Sequence, residues 1–378
     1  MSPKPAKSNP YTVSDLERIM ESLAPTHLAQ AWDNVGLIAG DSTARLERVL
    51  LCVDMTKAVV DEAVRKRADL ILSYHPPIFK PVSSLRYPAP TTEAQVFECI
   101  RRGIAVYATH TALDAAEGGT NDVLAGLCGA TATEPLEFAD DAGPAQVKVV
   151  VFVPQSDLAK VADAMFAAGA GRIGDYSHCS YRIEGHGTFF GSDSTDPTVG
   201  RRGRLETVDE IRLESVAPLN ALPAVIDAIY ASHSYEEPAF DVYPLLKRPV
   251  AGIGRCAALP RKSSLGALAR RLKRLVHATN VELIGAPQRP VKRIIVVAGA
   301  AGSIPFRAVQ WPHDVIITGE IRHHDALAIH RMGCAAIALG HWPSERPVLA
   351  PLAARLVTQM PRITAMLSEA DCAPATGV

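Results

Sequence analysis

The feature that most constrains this chain is a unit repeated near both of its ends: a short apolar run, a polar or glycine stop, then a helical pattern. In the first part the runs are VLLCV (49–53), DLILS (69–73) and IAVYA (104–108), with helical spacing near 13–24, 57–67, 92–102 and 120–128. In the last part they are RIIVVAG (293–299), DVIIT (314–318) and AAIALG (335–340), with helices expected near 263–277, 325–333 and 344–359. Apolar runs this short, alternating with helices, predict a mostly parallel sheet covered on both faces. Ser14 and Ser156 are expected to cap helices.

The middle of the chain has a different rhythm. LEFADDAGPAQ (136–146) is acidic, small and proline-containing, and reads as a linker. Strands follow at 147–154, 179–190, 209–218 and 239–245, with helices at 156–169 and 219–233 and Pro223 in a first turn. That order, β-α-β-β-α-β, is ferredoxin-like. The expected fold is therefore α/β. A three-layer, mostly parallel sheet domain is formed by both chain ends (1–145 and 249–378), with an inserted ferredoxin-like domain at 146–248. A length of 378 residues suits two to three domains at ~150 residues each.

Several functional classes are disfavoured. Lys and Arg number 39 against 40 Asp and Glu, which gives no basic excess for nucleic acid. The one dense basic run, Arg201, Arg202 and Arg204, reads as a solvated loop. No stretch reaches the ~20 apolar residues of a membrane span, and the polar, proline-rich start lacks a signal-peptide core. The seven cysteines form no CxxC pair, so neither a disulfide framework nor a cysteine zinc site is expected. A cytoplasmic protein follows from these readings. Residues 1–12 and the tail after 368 are expected to be mobile.

Ligands of open α/β sheets bind beyond the carboxyl ends of the strands, so the residues there are the candidates. They are Asp54 to Thr56, then Tyr74 and His75, then Thr109, His110 and Asp114. Later come the loop GAAGS (299–303), then Glu320, His323, His324 and Asp325, and finally His341 and Glu345. His341 and Glu345 stand four residues apart at a helix start and share one face. Such a pair can grip one cation, or two with the carboxylate bridging. His110 and Asp114 repeat the spacing. Together His75, Asp114, His341 and Glu345 supply two imidazoles and two carboxylates, a set suited to Zn, Fe, Mn, Co or Ni rather than Ca. The loop GAAGS is too short of pattern to be a GxGxxG fingerprint, and neither GxxxxGK[ST] nor GxSxG occurs. His178, His186 and His233 read as ordinary strand and loop histidines.

The motifs WDNVGL (32–37), SYHPPIFKP (73–81), THTALDAAEGGTNDVLA (109–125), TGEIRHHDAL (318–327) and GHWPSERP (340–347) resemble those of the NIF-three-like family. Its members are also called dinuclear metal centre proteins or GTP cyclohydrolase 1 type 2 homologues. The segments 169–190 and 232–245 resemble the PII- or CutA-like domain inserted in longer members.

The resemblance implies two divalent metals held by His75, Asp114, His341 and Glu345, with Glu345 bridging. Many bacterial members carry histidine where this chain has Tyr74, which implies a weaker second position, or one completed by water, His110 or His324. It also implies a homohexameric ring and a small-molecule substrate, GTP, whose guanine imidazole ring is opened hydrolytically. By position, Glu320 or His324 would move protons and Arg322 or Arg346 would face the triphosphate. Asp33 would lie just behind the metal ligands. Two other readings stay open: a metal-dependent hydrolase of phosphoesters or other nucleotides, and a non-catalytic assembly that holds or senses metal or a cofactor.

Overall fold

The computed structural model describes residues 11–138, 146–245, 251–309, 312 and 314–375. They fall into two compact units: those within Met1–Ala139 and Pro249–Val378 form one, and those within Asp140–Arg248 the other. The linker expected at 136–146 lies largely outside the described residues, as does most of the N-terminal segment expected to be mobile.

The larger unit contains two five-stranded sheets. In the first, the strands run in the order Gly36–Ala39, Ala105–Ala108, Leu70–Ser73, Arg48–Cys52, Thr364–Leu367. All neighbours are parallel except the edge strand Gly36–Ala39. The second runs Arg255–Ser264, Pro290–Ala300, Asp314–Glu320, Ala335–Ala338, Glu282–Ile284, with a parallel centre and two antiparallel edges. The mixed α/β, mostly parallel reading therefore holds, with the strands divided between two sheets. The final strand crosses back to the first sheet, so both chain ends build it.

The apolar runs are continuous because both faces of each sheet are covered. Val49, Leu51, Leu70 and Leu72 enter one core of the first sheet, while Leu50, Cys52, Ile71 and Val106 enter the other. In the second sheet Ile294, Val296, Val315 and Ile317 face one core, and Ile295, Ile316 and Ala336 the opposite one. The helix Val13–Leu23 buries Val13, Leu16, Met20 and Leu23 along one stripe. At roughly 1.5–3 kcal/mol per buried side chain, that stripe holds the helix in place. Its cap is Thr12, in a capping box with Asp15, rather than Ser14. The helix Leu158–Ala167 likewise begins after Asp157, without a serine cap.

The chain beyond Ser368 is not a loose tail up to Asp371. Ser368 and the Glu369 and Ala370 amides bond to Glu62, and Asp371 accepts from the Val53 amide (2.8 Å) and the Trp342 indole (3.0 Å). These contacts bind this segment to the end of the strand Arg48–Cys52, to the helix Lys57–Lys66 and to Trp342.

The smaller unit is a four-stranded antiparallel sheet, ordered Ser180–Phe190, Leu205–Pro218, Gln146–Val153, Phe240–Leu245. The helices Leu158–Ala167 and Leu222–Ser232 share its core through Val161, Met165, Val225 and Ile229. Pro223 lies in the first turn of the second helix. In chain order the elements run β-α-β-β-α-β.

Candidate metal centre

Each candidate side chain is delivered by the carboxyl end of a parallel strand. Beyond Leu70–Ser73, the amides of Tyr74 and His75 continue the ladder to Cys52 O (2.8 Å) and Val53 O (3.0 Å). The two prolines after His75 hold the turn extended. Beyond Ala105–Ala108, His110 opens the short helix His110–Ala115, and its amide bonds Tyr74 O at 2.9 Å. Beyond Ala335–Ala338, Gly340 turns with positive φ into the short helix His341–Glu345. Pro343 and Pro347 confine that helix: a 3-10 turn, Arg346–Val348, follows it, and Leu349–Gln359 resumes the α-helix. The single helix expected over 344–359 is thus divided, and the division turns Glu345 inward.

His75, His341 and Glu345 converge, with their ligand atoms all within 4.8 Å of one another. Glu345 is buried, its side chain only 4 % exposed, and lies between the rings. Its Oε1 is 3.1 Å from His341 Nε2, and its Oε2 is 3.4 Å from His75 Nε2. Oε2 has no hydrogen-bond partner although it is buried. A buried carboxylate oxygen with no hydrogen bond, and only the His75 ring as a charge partner, is costly, and a cation between the three groups would satisfy it. Each imidazole is oriented from behind by a second carboxylate: His75 Nδ1 meets Asp54 Oδ1 at 2.9 Å, and His341 Nδ1 meets Glu320 Oε1 at 3.1 Å. Metal-binding histidines have this kind of support. The donors present therefore fit a divalent cation.

The charges agree with that fit. Burial favours the neutral form of His75, but Asp54 and Glu345 outweigh it and push the ring up to about 10. Glu345 and Glu320 likewise raise His341. Burial would raise Glu345, yet the two imidazoles hold its carboxyl below the usual range. Without metal, protons supply the positive charge that the three groups are arranged around.

Asp114, the fourth expected ligand, stands beside this group. Its Oδ1 accepts the Tyr74 hydroxyl at 2.5 Å, and its backbone carbonyl accepts from Asn121 Nδ2 at 3.0 Å. Burial, with the nearby Glu345 charge, pushes Asp114 up to about 6. Burial and the same two carboxylates raise Tyr74 well above the usual phenol range. His110 is fixed through Nδ1 to Asp33 Oδ1 at 2.8 Å, and the Thr111 amide and hydroxyl hold the other Asp33 oxygen.

Glu320, expected to move protons, is the orienting partner of His341. His324 is exposed at the start of the helix His323–Arg331, its ring 5.5 Å from that of His323. Arg322 pairs with Asp325, and Arg346 is tied to Ser368 O and Asp371. Asp54, one of the strand-end candidates, has the role of orienting His75. Its signal was its place at the end of 49–53, the strand beside the one that carries His75. Thr56 caps the following helix instead. In the smaller unit, His186 pairs with Asp209 and His233 with Phe152 O, ordinary partners for such histidines. Among the described residues no helix is long and apolar enough to cross a membrane.

The chain matches the family described as Duf34/NIF3 (NGG1p interacting factor 3) over residues 11–374. It is 38 % identical over 340 residues to a protein of Mycobacterium leprae named GTP cyclohydrolase 1 type 2 homolog, covering 89 % of this chain and 87 % of that one. A Bacillus subtilis protein of the same name is 35 % identical over 329 residues, covering 87 % of each. Among solved structures, a Bacillus cereus protein related to NIF3 superposes with a TM-score of 0.74 at 31 % identity, covering 97 % of this chain and 99 % of the other. Staphylococcus aureus protein SA1388 superposes with a TM-score of 0.80 at 26 % identity, covering 98 % and 99 %. On the match over nearly its whole length, this chain belongs to the Duf34/NIF3 family.

Proposed function

We propose that the His75–His341–Glu345 centre binds a divalent cation of the Zn, Fe, Mn, Co or Ni group and that the protein is a metal-dependent hydrolase of a nucleotide. The convergence of these three side chains around a buried carboxylate oxygen that makes no hydrogen bond carries the reading. When bound there, such a cation supplies a Lewis acid and lowers the pKa of water toward ~7. The chain's own residues do the rest. His75, His341 and Glu345 hold the cation, Asp54 and Glu320 fix the ring orientations, and Asp114 with Tyr74 forms the wall beside them. Glu320, exposed at the rim, takes a proton from water and returns it to a leaving group in this reading. His324 is the second proton carrier of this reading.

The name shared by the relatives directs the choice of substrate to GTP. The reaction is hydrolytic opening of the guanine imidazole ring at C8 with release of formate, followed by rearrangement of the ribose carbons and their closure onto the freed amine with loss of water, which gives dihydroneopterin triphosphate. The protein acts in the cytoplasm as a homohexamer, which light scattering after gel filtration tests. The activity test is incubation of metal-loaded protein with GTP and detection of a fluorescent pterin after oxidation. Turnover is expected for the native chain and is expected to vanish in a His75→Ala, His341→Ala double variant. Equal signal from both proteins would end this assignment. A panel of phosphoesters and other nucleotides at fixed metal separates GTP from the wider hydrolase class. Metal held without turnover on any of them would point instead to the non-catalytic assembly.

A further inference from the structure

We infer that each chain binds one cation and not two, because the Tyr74 hydroxyl has taken the Asp114 carboxylate that a second cation would need. The inference rests on the metal-centre reading above and concerns its stoichiometry. Glu345 offers one oxygen to His341 and the other to the side of His75, and the three ligand groups point at one spot. That spot has three protein donors. A second spot would need its own donors from Tyr74, His110 and Asp114. Among the described residues, His110 and Asp114 form no such group with Glu345.

Tyr74 decides the matter by packing. Its ring is 1 % exposed and sits in the core of the first sheet with Val53, Leu72 and Leu113. The side chain therefore cannot swing out, and its hydroxyl hydrogen stays on Asp114 Oδ1 at 2.5 Å. A neutral phenol is a poor ligand for a divalent ion where an imidazole would be a good one. His110, whose Nδ1 meets Asp33 as those of His75 and His341 meet their carboxylates, keeps Nε2 available but stands outside the group of converging ligand atoms. The phenol proton partly neutralises Asp114, which is the electrostatic task a second cation would perform.

The test is a metal count. The full chain is loaded with excess Co(II), freed of unbound ion, and measured for cobalt per chain, alongside Tyr74→His. One per chain is expected for the native protein, and two for the variant, whose imidazole replaces the phenol and releases Asp114. Two per chain in the native protein, or one in a folded Tyr74→His, overturns the inference. Should the variant fail to fold, a Co(II) titration of the native protein decides alone. Its visible d–d absorption is expected to saturate at one equivalent, and a second rise between one and two equivalents overturns the proposal. A His75→Ala control keeps the two levels apart: native protein that binds no more cobalt than this control refutes the metal centre itself.

Discussion

Arg255 and Asp122, 133 positions apart, meet in a bidentate pair: Nε to Oδ1 at 2.7 Å and Nη2 to Oδ2 at 2.9 Å. The guanidinium is 1 % exposed, and its remaining donors reach Gly252 O (2.6 Å), Gly254 O (2.8 Å) and Ala116 O (2.9 Å). Asp122 also accepts from the Thr133 hydroxyl and the Gly118 amide. The segment just after Asp114 is thereby fastened to the first strand of the second sheet. Asn121 adds a second fastening, accepting the Ala298 amide at 2.9 Å while it donates to Asp114 O. These bonds join the segment after Asp114 to the second sheet without involving His75, His341 or Glu345.

Arg255→Met is therefore expected to destabilise the metal-free protein by about 3–5 kcal/mol, since it takes the guanidinium from the Asp122 carboxylate and from three carbonyls. Urea unfolding measures it. A loss below about 1 kcal/mol would mean that water replaces the guanidinium and that the fastening is dispensable.

Asp54→Asn removes the charge behind His75 while keeping its shape. Carboxylates that orient a ligating imidazole are worth about 10–100-fold in metal affinity. A fall of that size is expected in competition with a chromophoric chelator, and Glu320→Gln should act in the same direction on His341. Unchanged affinity in both would show that neither carboxylate tunes its ring.

The pH dependence of the metal-free protein follows from His75. Its folded-state value of about 10 lies above the ordinary ~6.5, so the imidazolium stabilises the fold fully below ~6.5 and progressively less as pH rises to about 10. Melting temperature should decline across that window in the metal-free native chain. It should decline less in His75→Ala and in the metal-loaded protein, where a cation replaces the proton. Loading should also release protons into weak buffer, and an absence of release at pH 8 contradicts the scheme.

The parts of this architecture that were legible in the sequence are those set by local pattern. His75, His341 and Glu345 stand out because strand ends and a four-residue helical spacing are both short-range signals. The edge strands Gly36–Ala39, Glu282–Ile284 and Thr364–Leu367 are three or four residues long, too short for alternation to register. Arg255–Ser264 contains a proline and several charges and polar residues, and is a strand only because Pro290–Ala300 pairs with it. The division into two sheets is a matter of non-local pairing that no local pattern encodes. The hydroxyl of Tyr74 was equally hidden. Its identity suggested a weak ligand, but its pairing with Asp114 depends on how the two strand ends lie together.

Gly299 gives the sharpest test of the centre's packing. It has φ +63°, and a Cβ there would fall on Glu345 Oε1, with His341 Nε2 3.4 Å away. Gly302, in the turn that follows the strand Pro290–Ala300 to which Gly299 belongs, has φ +55° and open space around its Cβ position. Alanine at either site carries roughly 1–2 kcal/mol of left-handed backbone strain. Only Gly299→Ala also displaces the carboxylate between the two imidazoles. Both variants are expected to melt earlier by similar amounts in the absence of metal, with Gly299→Ala the lower. Gly302→Ala should keep its metal, while Gly299→Ala should lose most of it by elemental analysis. Equal metal content in the two variants would mean that Glu345 can move aside and still bind, and the tight cradle inferred around it would have to be abandoned.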